Sequence, residues 1–170
     1  MLKLPAALAR NLVYPLQERA FKRPTFPYLA QLEQSQWLSR QGVEALQLEK
    51  LRALLRVAHA HCPWHRQRLD AAGLSPENLG GLADLARLPT MDKRDAALNR
   101  ENLVWSGVPG GAFKYNTGGS SGQPLIFHFG RSRQASDAAG RMRARRWWGV
   151  EVGEPEVYLW GAPVELNKTD

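Results

Sequence analysis

A glycine- and serine-rich run between two strand-like segments limits most strongly what this chain can fold into. The run covers residues 117–124, and the flanking segments 112–116 and 125–129 are rich in aromatic and aliphatic side chains. Two such segments joined by a short link that contains glycine predict a β-hairpin. Glycine in the link accepts positive φ and leaves no Cβ between the backbone and a ligand.

The link of this hairpin has the composition of a phosphate site. Consecutive backbone N–H groups in a glycine-rich loop can point into one concavity, and neighbouring hydroxyl groups supply further donors to phosphate oxygens. We therefore predict that six consecutive residues bind phosphate: Thr117, Gly118, Gly119, Ser120, Ser121 and Gly122. A plain turn of small polar residues has the same composition, so the run by itself leaves both interpretations open.

Two common catalytic motifs do not fit the same run. The P-loop of kinases and GTPases needs a lysine after its last glycine, where this chain has Gln123. The Gly-x-Ser-x-Gly string of serine hydrolases is present around Ser120, but that string must lead into a helix, and Pro124 opens a strand-like segment instead. The last histidine, His128, also follows too closely to complete a catalytic triad with this serine.

The segments before the run are helical in pattern. Apolar residues recur at helical spacing over 43–62, and Pro63 ends this helix because proline lacks the N–H that the helix needs. A short second helix is predicted to start near Pro63 and to end at Gly73. Ser75, followed by a proline, predicts a further helix start.

The elements predicted between Ser75 and the glycine-rich run are shorter, and a longer helix is predicted after the run. Leucines at every third residue over 79–88 predict a tight apolar turn, and Asp92 is predicted to cap a helix over 93–98. Helical spacing returns over 132–148, and residues 156–160 are predicted to form a buried strand. The expected fold is α/β: a mainly helical region over 1–100, then a hairpin, helix and strand of the same domain over 101–170.

The composition indicates a globular protein with a cationic surface. The chain has a net charge of +7, a single cysteine (Cys62) and no apolar run long enough to span a membrane. One cysteine excludes an internal disulfide and suits a reducing compartment, so we expect a cytoplasmic protein. The charge suggests an anionic partner, which can be nucleic acid, an acidic membrane surface or a polyphosphate.

Residues 1–40 have the pattern of basic amphipathic helices. Leu8, Leu12, Val13 and Leu16 share a face, and basic residues lie around them. Peripheral contact with an anionic membrane is one interpretation of this pattern. Ordinary packing of the helix against its own domain is the other, and we favour it, because basic amphipathic helices are common in globular proteins.

Two further clusters allow other functions. His59, His61, Cys62 and His65 are potential zinc ligands, but His59 and His61 point to nearly opposite sides of a helix, which favours a packing role and no metal site. The arginine-rich segment 131–148 ends in two tryptophans and could bind nucleic acid. Arginines that extend over apolar surface explain this segment as well, and we favour that interpretation.

Several motifs in order along the chain resemble one enzyme family. Residues 117–124 resemble the phosphate-binding signature of the acyl-adenylate-forming superfamily, in the form seen in phenylacetate–coenzyme A ligases. The segment 51–66, which ends in His-Cys-Pro-Trp-His-Arg, and the segment 73–93 resemble parts of the same family in the same order. Residues 160–163, Trp-Gly-Ala-Pro, are similar to a segment of a branch associated with capsular or exopolysaccharide biosynthesis.

The resemblance implies an enzyme that joins a small carboxylic acid to ATP. Such enzymes form an acyl-adenylate and pyrophosphate with the help of Mg²⁺, and usually transfer the acyl group to a thiol such as coenzyme A. This region would then be the start of the large N-terminal domain. Gln123 stands where many relatives have lysine, and Leu125 replaces a polar residue, so one cationic contact to the phosphates is missing.

The resemblance also implies what this chain lacks. The family's adenine pocket, metal-binding glutamate and catalytic lysine are expected beyond Asp170, so we assign no catalytic or metal-binding residue and expect an inactive fragment. A stand-alone basic module that binds nucleic acid or an anionic membrane is the alternative. A degenerate relative that serves as a structural partner is a third. The acyl substrate, the final acceptor and the oligomeric state are not predicted.

Overall fold

The computed structural model describes residues 4–116 and 125–157, which form two compact units. The first unit contains residues 4–32 and 132–157, and the second contains residues 33–116 and 125–131. The elements in chain order are α1 (Ala6–Leu8), a π-helical stretch (Ala9–Val13), α2 (Tyr14–Ala20), α3 (Thr25–Ser35), α4 (Arg40–His61), α5 (Pro63–Ala71), a 3₁₀ helix (Leu82–Arg87), α6 (Lys93–Leu98), a second 3₁₀ helix (Arg100–Leu103), β1 (Phe113–Asn116), β2 (Ile126–Phe129) and α7 (Arg131–Arg146). The fold of the described residues is mixed and rich in helix, with a two-stranded antiparallel sheet, which is compatible with the predicted α/β class.

The core of the first unit lies between α3 and α7. Its buried residues are Leu29 of α3 and Ala139 and Met142 of α7. Tyr14 and Phe26 pack against this cluster, with their ring centroids 5.8 Å apart and the rings edge to face. The alanine and methionine belong to the stripe that the spacing over 132–148 places on one side of the helix.

We refer to residues 6–20, which run through α1, the π-helical stretch and α2, as the N-terminal helix. The first turn of this helix packs closely against a glycine of the same unit. Gly153 has φ of +91°, and a Cβ at this position would lie 2.8 Å from the carbonyl oxygen of Ala6 and 2.9 Å from Cβ of Ala9. Only glycine therefore allows this contact, because any side chain would overlap the backbone of the helix.

A buried carboxylate connects α2 to α3. Glu18 is 2% exposed and accepts hydrogen bonds from Nη2 of Arg23 at 2.6 Å and from the hydroxyl of Thr25. Thr25 is itself fully buried at the start of α3. A buried charge is tolerated only when it is paired and hydrogen-bonded, so these two donors are what makes Glu18 acceptable at this position.

We predict that Thr25→Val destabilises the protein by about 1–3 kcal/mol, because valine keeps the shape of threonine and leaves one carboxylate oxygen of Glu18 without its donor. Chemical denaturation of both proteins measures the difference in the free energy of unfolding. Thr90 is exposed, and Thr90→Val serves as the control with an expected change within about 0.5 kcal/mol. Equal stability of Thr25→Val and the wild type would show that Glu18 does not depend on this hydroxyl.

The core of the second unit is a leucine cluster beneath α4. Its buried members are Leu55, Leu69, Leu74 and Leu79. Arg52 of α4 donates to the carbonyl oxygen of Leu79 through Nε at 3.2 Å and through Nη2 at 2.6 Å. These bonds hold the segment that leads into the first 3₁₀ helix, Leu82–Arg87. This helix lies within residues 79–88, where the leucine spacing predicts a tight apolar turn.

Most local predictions for the second unit are confirmed. The helix predicted over 43–62 is α4, and Pro63 occupies the start of α5. Gly73 follows that helix with φ of +59°. Asp92 caps α6 by accepting a hydrogen bond from the N–H of Asp95 at 2.8 Å.

The prediction that Ser75 and the following proline start a helix is wrong. The hydroxyl of Ser75 accepts from the N–H of Asn78 at 3.1 Å, and the side-chain oxygen of Asn78 accepts from the N–H of Ser75 at 2.8 Å. Asn78 also donates to the carbonyl oxygen of Gly73 at 3.0 Å. Its side chain therefore closes a turn and uses the groups that a helix start would need.

The predicted phosphate-binding run 117–124 lies outside what the structure describes. Of the predicted buried strand over 156–160, only residues 156 and 157 are described; both are exposed, Val157 at 89%, and neither belongs to a strand. The organisation as a single domain with parts 1–100 and 101–170 stays a prediction. Within residues 4–116 and 125–157, no helix has both the length and the apolar character needed to cross a bilayer.

Candidate functional site

The two predicted strands pair as an antiparallel ladder of four residues. Phe113 is opposite Phe129 at one end, and Asn116 is opposite Ile126 at the other. The segment that connects the paired ends is therefore 117–125. The predicted phosphate-binding residues Thr117, Gly118, Gly119, Ser120, Ser121 and Gly122 lie outside the described residues, so their role stays a prediction.

Two glycines and an arginine hold the open end of the ladder. Gly110 and Gly111 have φ of +84° and +88°, a backbone conformation that other residues rarely adopt. A Cβ on Gly110 would lie 3.0 Å from Cγ of Arg131. The guanidinium of Arg131 lies 4.3 Å from the ring centroid of Phe113, so the first residue of α7 contacts the first residue of β1.

The ladder separates an aromatic face from a polar face, because successive side chains of a strand point to opposite sides. On the aromatic face, the ring of Tyr115 lies 5.4 Å from that of Phe127 and 5.5 Å from that of Phe129. On the other face, Lys114 is directly opposite His128. Directly opposite residues have Cβ atoms about 4.5–5.5 Å apart, so these two side chains leave the sheet next to each other.

A cleft of about 450 Å³ opens on this polar face, and we call it the cationic cleft. Its lining residues are Arg100, Glu101, Val104, Ser106, Lys114 and His128. Neither Arg100 nor Lys114 forms an ion pair with another described residue, and Nδ1 of His128 is buried without a hydrogen-bond partner there. The cleft is lined by two cations, a hydroxyl group, an imidazole and only one carboxylate, that of Glu101. The positive charges outnumber the negative one, so the cleft attracts an anion.

An apolar cavity of about 490 Å³ adjoins the cationic cleft. The two spaces share Arg100, Val104 and His128. Leu54 and Trp105 are among the apolar walls of the cavity. A mainly apolar space of this size with a few polar groups at one side is typical of small-molecule sites, and this one suits a ligand with an apolar body and an anionic group.

The four potential zinc ligands have separate neighbours. Nε2 of His59 lies 2.9 Å from Oδ1 of Asp70, and His61 stacks on Trp105 with ring centroids 3.9 Å apart. Burial raises the pKa of the Cys62 thiol, which disfavours the thiolate that metal binding needs. The stacking of His61 instead helps to fix Trp105 in the wall of the apolar cavity.

Many of the arginines of α7 are paired. Arg133 and Arg141 both approach Oδ2 of Asp137, at 3.8 and 3.1 Å. Arg145 contacts Glu156 at 2.7 Å, and Arg146 contacts Glu151 at 3.1 Å. Arg143 lies 5.1 Å from the ring centroid of Trp147. These contacts neutralise part of the positive charge on which the nucleic-acid interpretation depends.

Sequence reasoning missed Arg100, Lys114 and His128 as one group. The predicted hairpin could have placed two of these residues together. Side chains alternate between the two faces of a strand, so a register with residues 117–125 as the connection puts Lys114 and His128 on the same face. Arg100 had no comparable signal, because it reaches the cleft from a 3₁₀ helix ten or more residues away in sequence.

Comparison with known proteins gives partial matches to one kind of enzyme. The chain matches no protein-family model. It is 39% identical over 69 residues to a phenylacetate–coenzyme A ligase of Aromatoleum evansii, 40% over 58 residues to one of Thermus thermophilus, and 36% over 53 residues to one of Escherichia coli. These stretches cover 41%, 34% and 31% of this chain, but only 16%, 13% and 12% of the relatives. The matches support the resemblance to AMP-forming ligases, whereas the polysaccharide-associated branch stays a prediction.

His65 is a titratable group in the wall of the apolar cavity. Burial lowers the pKa of this imidazole, and the nearby positive charge of Arg68 lowers it further. The guanidinium of Arg68 is held 4.2 Å from the ring centroid of Trp64 and donates to the carbonyl oxygen of Pro89. The folded protein therefore favours neutral His65 more than the unfolded chain does.

We predict that Arg68→Gln raises the pKa of His65 but leaves it below the ordinary value of about 6.5, because burial, the larger cause, is kept. Titration of the imidazole signals by NMR measures this change. Since the folded-state pKa is below the unfolded one, the stability from neutral His65 is fully present above the unfolded pKa and is lost as the pH falls from there through the folded pKa. Arg94→Gln removes an exposed charge elsewhere and is expected to leave His65 unchanged; an equal shift in both variants would contradict a local effect.

Proposed function

We propose that these residues are part of a ligase that activates a carboxylic acid with ATP. The carboxylate oxygen would form a bond to the α-phosphorus, the bond between the α- and β-phosphates would break, and pyrophosphate would leave. A thiol such as coenzyme A would then form the thioester and release AMP. The chain spans less than a fifth of the curated relatives it matches, so activity and substrates of the whole protein are proposals.

The observation that carries this proposal is the paired hairpin around the glycine-rich run. Pairing of Asn116 with Ile126 brings the two ends of the run together. In our proposal, Thr117 to Gly122 then hold the β- and γ-phosphates through backbone N–H groups and hydroxyls. The partial matches to phenylacetate–coenzyme A ligases support the same function independently.

The cationic cleft supports the proposal on electrostatic grounds. A carboxylate can approach a polyphosphate only if nearby cations reduce the repulsion between the two anions. Gln123 supplies no charge where many relatives of the resembled family have lysine. We infer that Lys114, two residues before the end of β1, and Arg100 provide the missing positive charge. Residues 4–116 and 125–157 contain no cluster of three carboxylate, imidazole or thiol groups that could hold a metal, so we assign no Mg²⁺ ligand.

We predict that the protein expressed from its entire gene exchanges labelled pyrophosphate into ATP when a carboxylic acid is added, with phenylacetate as the first acid to test. Ser120→Ala should lower kcat/KM for ATP by about ten- to a hundredfold, the loss expected for a hydrogen bond to a charged group. Gly119→Val should lower it as well, because a Cβ obstructs close approach of the backbone. Residues 1–170 alone should show no exchange.

Wild-type kinetics in both Ser120→Ala and Gly119→Val would contradict phosphate binding by the run. Exchange by residues 1–170 alone would contradict the expectation that further elements are needed. A panel of acids of different length and polarity, tested in the same assay, identifies the substrate.

We predict that Lys114→Gln lowers kcat/KM for ATP by about five- to tenfold, because it removes one exposed positive charge that faces the proposed anion. Lys50→Gln removes the same charge from the exposed surface of α4 and should have no effect. A defect in Lys114→Gln that is absent from Lys50→Gln supports the cleft as part of the site. Identical kinetics of the two variants would remove the cleft from the mechanism and leave the proposal for residues 117–122 standing.

A further inference from the structure

The N-terminal helix, with Leu4 before it and Phe21 after it, carries large apolar side chains that are about half exposed. Six large apolar side chains between residues 4 and 21 are 41–54% exposed. They are Leu4, Leu8, Leu12, Val13, Leu16 and Phe21. Exposed apolar patches of this kind on a folded protein mark interaction sites.

The opposite side of the same helix faces its own unit. Ala6 and Ala9 lie against Gly153, Tyr14 packs on the core cluster, and Glu18 is buried with its two donors. These inward residues alternate with the exposed leucines along the helix. The helix therefore already packs against its own unit through another face, and the leucines are not needed for that packing.

The π-helical stretch keeps the exposed leucines in line. In a regular α-helix, residues spaced by four drift about 40° around the axis at each step. A π-helical stretch has more residues per turn and reduces that drift. Because Ala9–Val13 is π-helical, Leu8, Leu12 and Leu16 can stay on one side of the helix.

The charges on this surface have one sign. From Leu4 to Arg23 the chain contains a single carboxylate, and that carboxylate is the buried Glu18. Arg19 and Lys22 are exposed. Lys22 lies in the turn after the helix, with φ of +54°, and the N–H of Arg23 donates to the carbonyl oxygen of Glu18 at 2.9 Å. The exposed surface of the helix therefore combines apolar side chains with positive charge only.

We propose that the N-terminal helix docks the protein on an anionic lipid surface. A helix whose apolar side chains enter the boundary between headgroups and acyl chains, while basic residues contact acidic headgroups, lies in the plane of the membrane. The fifteen residues from Ala6 to Ala20 measure about 22 Å at helical rise, so the helix lies on the bilayer and does not cross it. This proposal does not depend on the ligase function.

Sedimentation with lipid vesicles tests the proposal on the 170-residue chain. Wild-type protein should bind vesicles of phosphatidylcholine and phosphatidylglycerol at least tenfold more strongly than vesicles of phosphatidylcholine alone, and high salt should weaken that binding. The double variant Leu8→Gln, Leu12→Gln should lose binding by about tenfold or more, because two apolar side chains no longer leave water. Leu98→Gln, at a position that is 73% exposed in the second unit, should bind like the wild type.

Charge is tested with a second matched pair. Arg19→Gln with Lys22→Gln should lower binding to anionic vesicles by about thirtyfold, from about 1 kcal/mol for each basic residue at the surface. Lys50→Gln with Arg94→Gln removes the same two charges from exposed positions in the second unit and should have a smaller effect. Circular dichroism confirms that all variants fold.

Three results would overturn the proposal. The first is equal binding to neutral and anionic vesicles, or none to either. The second is equal behaviour of the leucine double variant and Leu98→Gln. The third is a dimer of the wild type, measured by light scattering, that becomes a monomer in the leucine double variant, since the face would then be covered by a second copy of the chain.

Discussion

The pairing of β1 with β2 is the constraint on which the candidate site depends. Four residue pairs in one register bring the ends of the glycine-rich run together and set which side chains share a face. Register matters because a slip of one residue turns every side chain of a strand to the other face. In the observed register, Tyr115 joins the aromatic face and Lys114 meets His128, and the cationic cleft exists only because of this arrangement.

Positive charge is used in two different ways in this chain. Several arginines of α7 form ion pairs with Asp137 of the same helix or with Glu151 and Glu156, which follow it. These arginines therefore contribute to the structure of the first unit. Around the hairpin, Arg100 and Lys114 have no carboxylate partner among the described residues and face a cleft. The net charge of +7 does not distinguish these cases. The distinction comes from which cations remain available to a ligand.

Elements with strong local signals could be predicted from the sequence. Pro63 at the start of α5, Asp92 at the start of α6 and the long apolar periodicity of α4 each act within a few residues, and each prediction is confirmed. Ser75 shows the limit of such reasoning. Serine caps helices and also closes turns. Here Ser75 and Asn78 form reciprocal hydrogen bonds between their side chains and backbone N–H groups, and these bonds stabilise a turn.

The sequence by itself determined α4, α5, α6 and α7, the two strands around residues 117–124 and the resemblance to acid-activating ligases, because these depend on spacing and local chemistry. Only the tertiary structure decided that Arg100 joins Lys114 and His128 in one cleft, and that Glu18 is buried while the leucines of the N-terminal helix are exposed. The sequence shows one apolar face on that helix, formed by the leucines, but the face with Ala6, Ala9 and Glu18 is the one that packs against the first unit. Which one is buried depends on the surface it packs against, and here a glycine at position 153 accepts Ala6 and Ala9.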